Sequence, residues 1–104
     1  MRIVVLPEAA DEFDDAADHF EREQPGLGQR FRDEVDRHIR WIAEHAELSR
    51  LRPGGYRRVN LKVFPYYVAY LIWQQTVWIL AIAHGHRKPE YWIRRRQDLG
   101  QQGD

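Results

Sequence analysis

Two apolar runs in the second half of the chain alternate as β-strands do, and each is apolar on both sides. Side chains alternate along a strand, so in residues 66–73 the even-numbered positions face one way and the odd-numbered positions the other. Residues 77–83 repeat the pattern, with Val77, Ile79, Ala81 and Ala83 opposite Trp78, Leu80 and Ile82. The pattern predicts two neighbouring strands that are buried on both faces. Between them, Gln74 and Gln75 lack the Asn-Gly or Asp-Gly signature of a two-residue turn, so we expect a longer loop.

The first half of the chain predicts one strand followed by two helices. The apolar run at residues 2–6 is short and rich in β-branched side chains, which indicates a strand in or next to the centre of a sheet. Pro7 suits the first turn of a helix, because its missing N–H costs nothing there. Residues 24–26 (QPG) end that helix, since glycine and proline favour a turn. The second helix carries an apolar stripe made of Leu27, Phe31, Val35, Ile39, Ile42 and Ala46.

The remaining segments complete an α+β fold in one domain, residues 1–104. Residues 56–64 alternate as a strand that ends at Pro65, and Pro89 opens a short C-terminal helix. The predicted order is an N-terminal strand, an antiparallel helical hairpin, a three-stranded antiparallel meander and a short C-terminal helix. The hairpin can cover one face of this sheet. We expect the other face to lie open, because a chain of 104 residues has little material left to cover it.

Charge is distributed unequally along the chain, although the net charge is zero. Residues 1–47 hold 13 acidic and 6 basic residues, a net charge of −7, whereas residues 48–104 hold 3 acidic and 10 basic residues, a net charge of +7. This asymmetry indicates a basic working surface in the second half. The alternative is that the first helix merely presents a solvated acidic face.

Several functional classes are disfavoured by composition. The chain has no cysteine, which removes disulfides, thiolate nucleophiles and zinc-ribbon sites. No apolar run approaches the roughly 20 residues that span a bilayer, and the N-terminal apolar stretch is too short for a signal peptide. We therefore expect a cytoplasmic protein with no membrane partner.

The order of elements and three sequence segments resemble the RelE/ParE superfamily of type II toxin–antitoxin toxins. The segments are VFPYYVAYLI, WILAIAHG and, most specifically, HGHRKPEYW at the end of the last strand. The resemblance extends from Arg2 to about Arg96. It implies a toxin that is neutralised by a cognate antitoxin, whose disordered C-terminal segment wraps the toxin.

One branch of the superfamily, the RelE-like toxins, cuts messenger RNA on the ribosome without a metal. The resemblance implies activation of a ribose 2′-OH, with cations that stabilise the charge developing on the phosphate. Asn60 and Tyr67 stand where this branch has basic residues, so the nuclease set is incomplete. His86 is a further candidate acid or base. The candidate catalytic residues under this alternative are Arg58, Lys62, His84, Arg87 and Tyr91.

The other branch, the ParE-like toxins, inhibits DNA gyrase by binding, without catalysis by the toxin. The long helical hairpin and the incomplete nuclease set favour this branch, as does the neutral net charge, because RNA binders depend on phosphate contacts. The candidate target-binding residues are Arg87, Lys88, Tyr91, Trp92, Arg94, Arg95 and Arg96. Alternatively, Tyr91 and Trp92 fold back on the apolar sheet as core residues.

The resemblance also implies partners. The candidate antitoxin-binding residues lie on the face predicted to be open: Tyr56, Arg58, Tyr67, Trp73 and Trp78. Operator DNA would be reached through the antitoxin. A third alternative is a non-toxic family member that serves as an interaction module. No cofactor is expected, and no metal either, because His84, His86 and Glu90 match no closed zinc motif.

Overall fold

Seven elements follow one another in the computed structural model, which describes residues 1–102 and the side chains of residues 1–99. The elements are β1 (Arg2–Val5), α1 (Pro7–Glu23), α2 (Leu27–His45), β2 (Arg57–Asn60), β3 (Tyr66–Trp73), β4 (Thr76–His84) and α3 (Ile93–Gln102). The predicted α+β order is confirmed, including the two helices, the three strands after them and the final helix.

The four strands form one mixed sheet in the order β1-β4-β3-β2. The meander β2-β3-β4 is antiparallel, and β1 runs parallel to β4, pairing Arg2 with Thr76 and Val5 with Ile79. The first strand lies next to the central strand β4, as predicted, and it forms one edge of the sheet. Its composition indicated a buried strand, but its two ends are exposed and its four residues pair with β4 alone.

A β-bulge in β4 changes which residues face the helices. The register between β3 and β4 shifts at Ala69 and Tyr70, which pair with Ala81 and Ile79, so Leu80 is the extra residue on β4. The predicted strict alternation was therefore wrong beyond Ile79. Ile82 packs toward the helices, and the residues that share the opposite face are Leu80, Ala81 and Ala83.

The helical hairpin covers the first face of the sheet, as predicted. Phe31, Val35 and Ile42 of α2 pack against Val68 and other apolar residues of the sheet in one buried cluster. The helices approach closely at Gly28, where a Cβ would lie 2.5 Å from the carbonyl oxygen of Ala17. Glu21 accepts hydrogen bonds from the N–H groups of Gly26 (3.0 Å) and Gly28 (3.1 Å), so it caps the start of α2.

The second face of the sheet is covered by the C-terminal segment, so the prediction of an open face was wrong. Trp92 is 1% exposed and Leu99 is also buried. Both pack in a second apolar cluster with Tyr56, Tyr67, Leu71 and other residues of the sheet. A short segment can cover a small sheet because an indole ring buries a large apolar area.

The strand β2 is shorter than the predicted range of residues 56–64. It ends at Asn60, after which Leu61 and Phe64 turn into the helix-side core. The turn is held by Glu34 of α2, which is 4% exposed and accepts hydrogen bonds from the N–H groups of Lys62 (2.6 Å) and Val63 (3.2 Å). A buried carboxylate thus takes up two backbone donors that the strand no longer satisfies.

The connection between β3 and β4 contains two residues, so the prediction of a longer loop was wrong. Gln74 and Gln75 have φ values of 51° and 59°. Two consecutive residues in the left-handed region are typical of a type I′ turn, which suits the twist of a hairpin. Pairing of β3 with β4 up to Trp73 and Thr76 leaves only these two residues to connect the strands, so the turn forms despite the absence of glycine.

Candidate functional site

The carboxylate of Glu12 on α1 is the centre of a hydrogen-bond network that holds the C-terminal segment. Its Oε1 accepts from Nη1 of Arg95 at 2.9 Å and its Oε2 from Nη2 of Arg95 at 3.1 Å, while the Tyr91 hydroxyl also donates to Oε2. Glu12 and Arg95 are largely buried, with 16% and 18% of their side chains exposed. A two-pronged ion pair of this kind fixes both the position and the orientation of the guanidinium.

This network also satisfies the edge of β4. Because β1 pairs with β4 as far as Ile79, the later edge groups of β4 have no strand beside them. The N–H of Ile82 donates to Glu12 at 3.1 Å, and the carbonyl oxygen of Leu80 accepts from Arg95 at 3.0 Å. Side chains from α1 and α3 therefore take the place of a missing strand.

Tyr91 is unsuited to proton transfer near neutral pH. Burial raises the pKa of its hydroxyl strongly, and the hydrogen bond to Glu12 and the charge of Glu12 raise it further, against the opposing charges of Arg87 and Arg95. The guanidinium of Arg87 lies over the Tyr91 ring at 3.7 Å from its centroid. The tyrosine is thus a neutral hydrogen-bond donor packed beneath a cation.

A second set of contacts anchors the same segment on the other side. The Trp92 indole N–H donates to the Tyr67 hydroxyl at 2.9 Å, and the Tyr56 ring meets Trp92 edge-on with centroids 4.6 Å apart. The Tyr56 hydroxyl donates to Glu90 at 2.6 Å, and burial, followed by this hydrogen bond, raises the pKa of Tyr56. The positive φ of Glu90, 57°, marks the bend that brings both anchors into place.

The candidate nuclease residues are only partly brought together. His84, Arg87 and Tyr91 line one cavity of about 210 Å³, whereas Arg58 and Lys62 do not. Arg58 stacks over Tyr67 at 4.0 Å on the second face, and the exposed Lys62 follows β2. Two carboxylates also line the cavity, those of Glu12 and Asp15, and their charge opposes a phosphate group.

The two histidines form a local hydrogen bond. The backbone N–H of His86 donates to Nδ1 of His84 at 3.0 Å, and the two rings lie 5.0 Å apart. Because Nδ1 accepts this hydrogen bond, a neutral His84 carries its ring proton on Nε2. No group of three or more His, Asp or Glu side chains within residues 1–102 is arranged to hold a metal ion.

The candidate target-binding residues divide into exposed and engaged side chains. Arg87, Lys88 and Arg94 are exposed. Trp92 is in the core, as the alternative expected, whereas Tyr91 is half-buried and, like Arg95, bound to Glu12. Arg96 packs against Gly55, where a Cβ would lie 2.8 Å from its Nη2.

The candidate antitoxin-binding residues all lie on the second face, but most are covered. Tyr56 and Tyr67 are buried beneath the C-terminal segment, so they are inaccessible in this conformation. Trp73 and Trp78 are partly buried beside the hairpin turn, with ring centroids 5.9 Å apart. The guanidinium of Arg58 lies over the face of the Tyr67 ring.

Sequence reasoning missed the two carboxylates that organise the C-terminal segment and the β2 turn, Glu12 and Glu34. Glu34 offered a signal, because it falls within the apolar stripe of α2 between Phe31 and Val35, where an unpartnered charge would be costly. Glu12 offered none, since it is one of many acidic residues on α1.

Comparisons with known proteins agree with this architecture. The model of the family "ParE toxin of type II toxin-antitoxin system, parDE" matches residues 3–89. A solved structure described as a chromosomal ParDE toxin–antitoxin system from P. aeruginosa has the same fold, with a TM-score of 0.73 and 19% sequence identity. The match covers 81% of this chain and 95% of that one.

A search of curated protein sequences gave no significant match. Within the described residues, no helix is both long and apolar enough to cross a membrane. Because the family model spans most of the sequence, the chain belongs to the ParE toxin family of type II toxin–antitoxin systems.

Proposed function

We propose that this ParE-family toxin arrests growth in the cytoplasm by binding DNA gyrase, without catalysing a reaction, until a ParD-type antitoxin neutralises it. The observation that supports this proposal is the engagement of Tyr91 and Arg95 by Glu12. Tyr91, a side chain that the RelE-like alternative would direct at RNA, serves here with Arg95 to hold the protein's own C-terminal segment.

The chemistry of RNA cleavage fits this arrangement poorly. Attack by a 2′-OH needs a general base near neutral pKa and cations that converge on the phosphate. Tyr91 has a raised pKa and donates a hydrogen bond to Glu12, and Arg58 lies outside the cavity that contains His84 and Arg87. The geometry therefore favours inhibition by binding.

The exposed cations of the C-terminal segment are the side chains available for the target. Arg87, Lys88 and Arg94 project from a segment that is anchored on both sides, by Glu12 and by Tyr67. Anchoring reduces the entropy lost when such side chains bind. A gyrase–DNA complex offers acidic groups and phosphates to which they are complementary.

Two assays with the purified toxin test the proposal. Toxin added to gyrase should inhibit supercoiling or accumulate cleaved DNA, and toxin added to translating ribosomes should leave the messenger RNA intact. The double variant Lys88→Ala and Arg94→Ala should weaken the effect on gyrase. The matched control, Arg22→Ala with Arg50→Ala, removes two exposed cations elsewhere. Messenger RNA cleavage with unaffected gyrase would instead establish the RelE-like alternative, and no effect in either assay would favour the interaction module.

A further inference from the structure

The guanidinium of Arg87 is stacked on the face of the Tyr91 ring. Its Cζ lies 3.7 Å from the ring centroid, a distance that two planar groups reach only when they lie face to face. Arg95 is a second cation near this ring, but its Cζ is 5.6 Å from the centroid and its Nη1 and Nη2 donate to Glu12. The two arginines therefore have different roles, and Arg87 is the one that occupies the ring face.

The ring beneath Arg87 is held in a fixed position. The Tyr91 hydroxyl donates to Glu12, so the ring cannot swing away without breaking the network that Glu12 forms with Arg95. The next residue, Trp92, is fully buried, so the main chain beside the ring is anchored as well. Tyr91 is thus a rigid support for the cation that lies on it.

Two consecutive turns bring Arg87 over the ring. The N–H of Arg87 donates to the carbonyl oxygen of His84 at 3.2 Å. The N–H of Tyr91 donates to the carbonyl oxygen of Lys88 at 3.3 Å. Each hydrogen bond closes a turn of four residues, so the chain reverses its direction between Arg87 and Tyr91. The stack is therefore built into the backbone path from β4 to α3.

Stacking leaves the hydrogen-bond donors of Arg87 available. The five N–H groups of a guanidinium lie in its plane, so a ring beneath that plane takes none of them. Arg87 is exposed, and its side chain has no hydrogen-bond or ion-pair partner among the described residues. Because the stack already restricts its rotamers, Arg87 loses little side-chain freedom when it binds another group.

The carboxylates nearest to Arg87 leave it a net attraction for anions. Glu12 and Asp15 line the same cavity as Arg87. The charge of Glu12 is offset by Arg95, whose Nη1 lies 2.9 Å from Oε1. Asp15 is exposed, so water and salt screen its charge, and the exposed Lys88 adds a second positive charge beside Arg87.

We infer that Tyr91 is a positioning residue for Arg87, which binds an oxyanion of the gyrase–DNA complex through two of its N–H groups. This inference rests on the proposed function. The oxyanion is a phosphate of the DNA or a carboxylate of gyrase, since both present paired oxygen atoms to a guanidinium. Lys88 and Arg94 are exposed cations too, but neither is stacked on a ring within the described part of the chain. We therefore expect them to contribute charge, and Arg87 to contribute an oriented pair of hydrogen bonds.

Substitution of Arg87 by lysine separates orientation from charge. Lysine keeps the charge but lacks both the plane that stacks and the fork of donors. Arg87→Lys should therefore raise the toxin concentration that half-inhibits gyrase supercoiling by about tenfold. Arg94→Lys, at an unstacked arginine of the same segment, should raise it at most about threefold, and Arg22→Lys on α1 should leave it unchanged. Equal inhibition by Arg87→Lys and the wild type would overturn the inference and leave the proposed function standing.

Substitutions of Tyr91 test the support itself. Tyr91→Leu removes the ring face and should weaken inhibition about tenfold, whereas Tyr91→Phe keeps the face and should restore most of the inhibition. The double variant Arg87→Lys with Tyr91→Leu should inhibit no more weakly than either single variant, because both changes remove one shared interaction. Losses that multiply in the double variant would show that the two side chains act independently, which contradicts the positioning role.

Nuclear magnetic resonance detects the stack without reference to activity. The Nε–H proton of Arg87 should resonate upfield of that of the exposed Arg22, because an aromatic ring shields protons that lie over its face. The shift should persist in Tyr91→Phe and disappear in Tyr91→Leu, and thermal midpoints show which variants are folded. An unshifted Arg87 proton in the wild type would overturn the positioning role even if Tyr91→Leu does not fold.

Binding measurements with and without DNA identify the oxyanion. Toxin is titrated against purified gyrase alone and against gyrase with a DNA duplex. Weakening by Arg87→Lys in both titrations identifies a carboxylate of gyrase, and weakening only with DNA present identifies a phosphate. Failure of the wild-type toxin to bind or inhibit gyrase would instead overturn the proposed function and, with it, the role of Arg87.

Discussion

Glu12 and Arg95 lie 83 residues apart in the chain, yet their side chains meet in a two-pronged ion pair with oxygen–nitrogen distances of 2.9 and 3.1 Å. The pair joins the first helix to the last and satisfies two groups on the edge of β4 between them. The family model ends at residue 89, so α3 and its half of this pair lie outside the matched residues. Trp92 and Leu99, which cover the second face, therefore lie outside the segment that the family model matches.

Replacing Glu12 by alanine should lower the free energy of unfolding by about 3 kcal/mol, because Arg95, the Tyr91 hydroxyl and the Ile82 N–H would lose a shared acceptor in a largely buried setting. Urea unfolding provides the measurement. Asp18→Ala on the same helix is the control, since Asp18 is exposed, and should change stability by less than about 0.5 kcal/mol. Equal effects of the two substitutions would show that Glu12 carries no special contact.

Stability should fall as the pH rises above about 10, where tyrosine ionises in the unfolded chain. The pKa of Tyr91 is raised in the folded protein, so above pH 10 the unfolded state loses a proton that the folded state retains. The stabilisation that is linked to the raised pKa of Tyr91 is fully present below about pH 10 and is lost as the pH rises above it. Tyr91→Phe should make this decline shallower, as measured by unfolding between pH 8 and about 11. The pKa values of three other tyrosines, Tyr56, Tyr66 and Tyr70, are also raised. Part of the decline in stability with pH should therefore remain in the variant.

Replacing Trp92 by alanine should destabilise the protein by about 3 to 5 kcal/mol, as expected for removal of a fully buried tryptophan. It should also expose the apolar residues of the second face, which binding of a hydrophobic dye would detect. Trp92→Phe keeps a ring in place but removes the hydrogen bond to Tyr67, so its cost should be smaller. Dye binding equal to that of the wild type in Trp92→Ala would contradict the assignment of Trp92 as the cover.

Gln75→Gly should stabilise the protein by about 1 kcal/mol, because Gln75 has a φ of 59° and glycine adopts this conformation without steric cost. Gln24→Gly is the matched control. Gln24 is extended, so glycine there gains nothing and should be neutral or destabilising. The thermal midpoints of the two variants give the comparison, and a stabilisation by Gln24→Gly as large as that by Gln75→Gly would refute the strain at the turn.

Local patterns in the sequence were sufficient for the elements and their order. The period of about 3.6 in α1 and α2 and the alternation in β3 reflect which residues must leave water, and that preference is encoded over a few neighbouring positions. Pro7 and the Gln24-Pro25-Gly26 break place the ends of α1 within one residue of those observed. The resemblance to the toxin superfamily was likewise carried by short segments, and the ParE family match confirms it.

Contacts between distant segments were beyond such patterns. The residues around Glu12 do not distinguish it from the other acidic residues of α1. Its role in holding the C-terminal segment depends on Arg95, which lies 83 residues further along the chain. The bulge at Leu80 reverses the faces of Ala81 and Ile82 because the register of two strands, rather than the spacing within one, decides which side each residue takes. The position of Trp92 also depends on distant contacts. The sequence indicates only that a large apolar side chain such as an indole should be buried. The bend at Glu90 and the hydrogen bond to the Tyr67 hydroxyl determine that it is buried on the second face of the sheet.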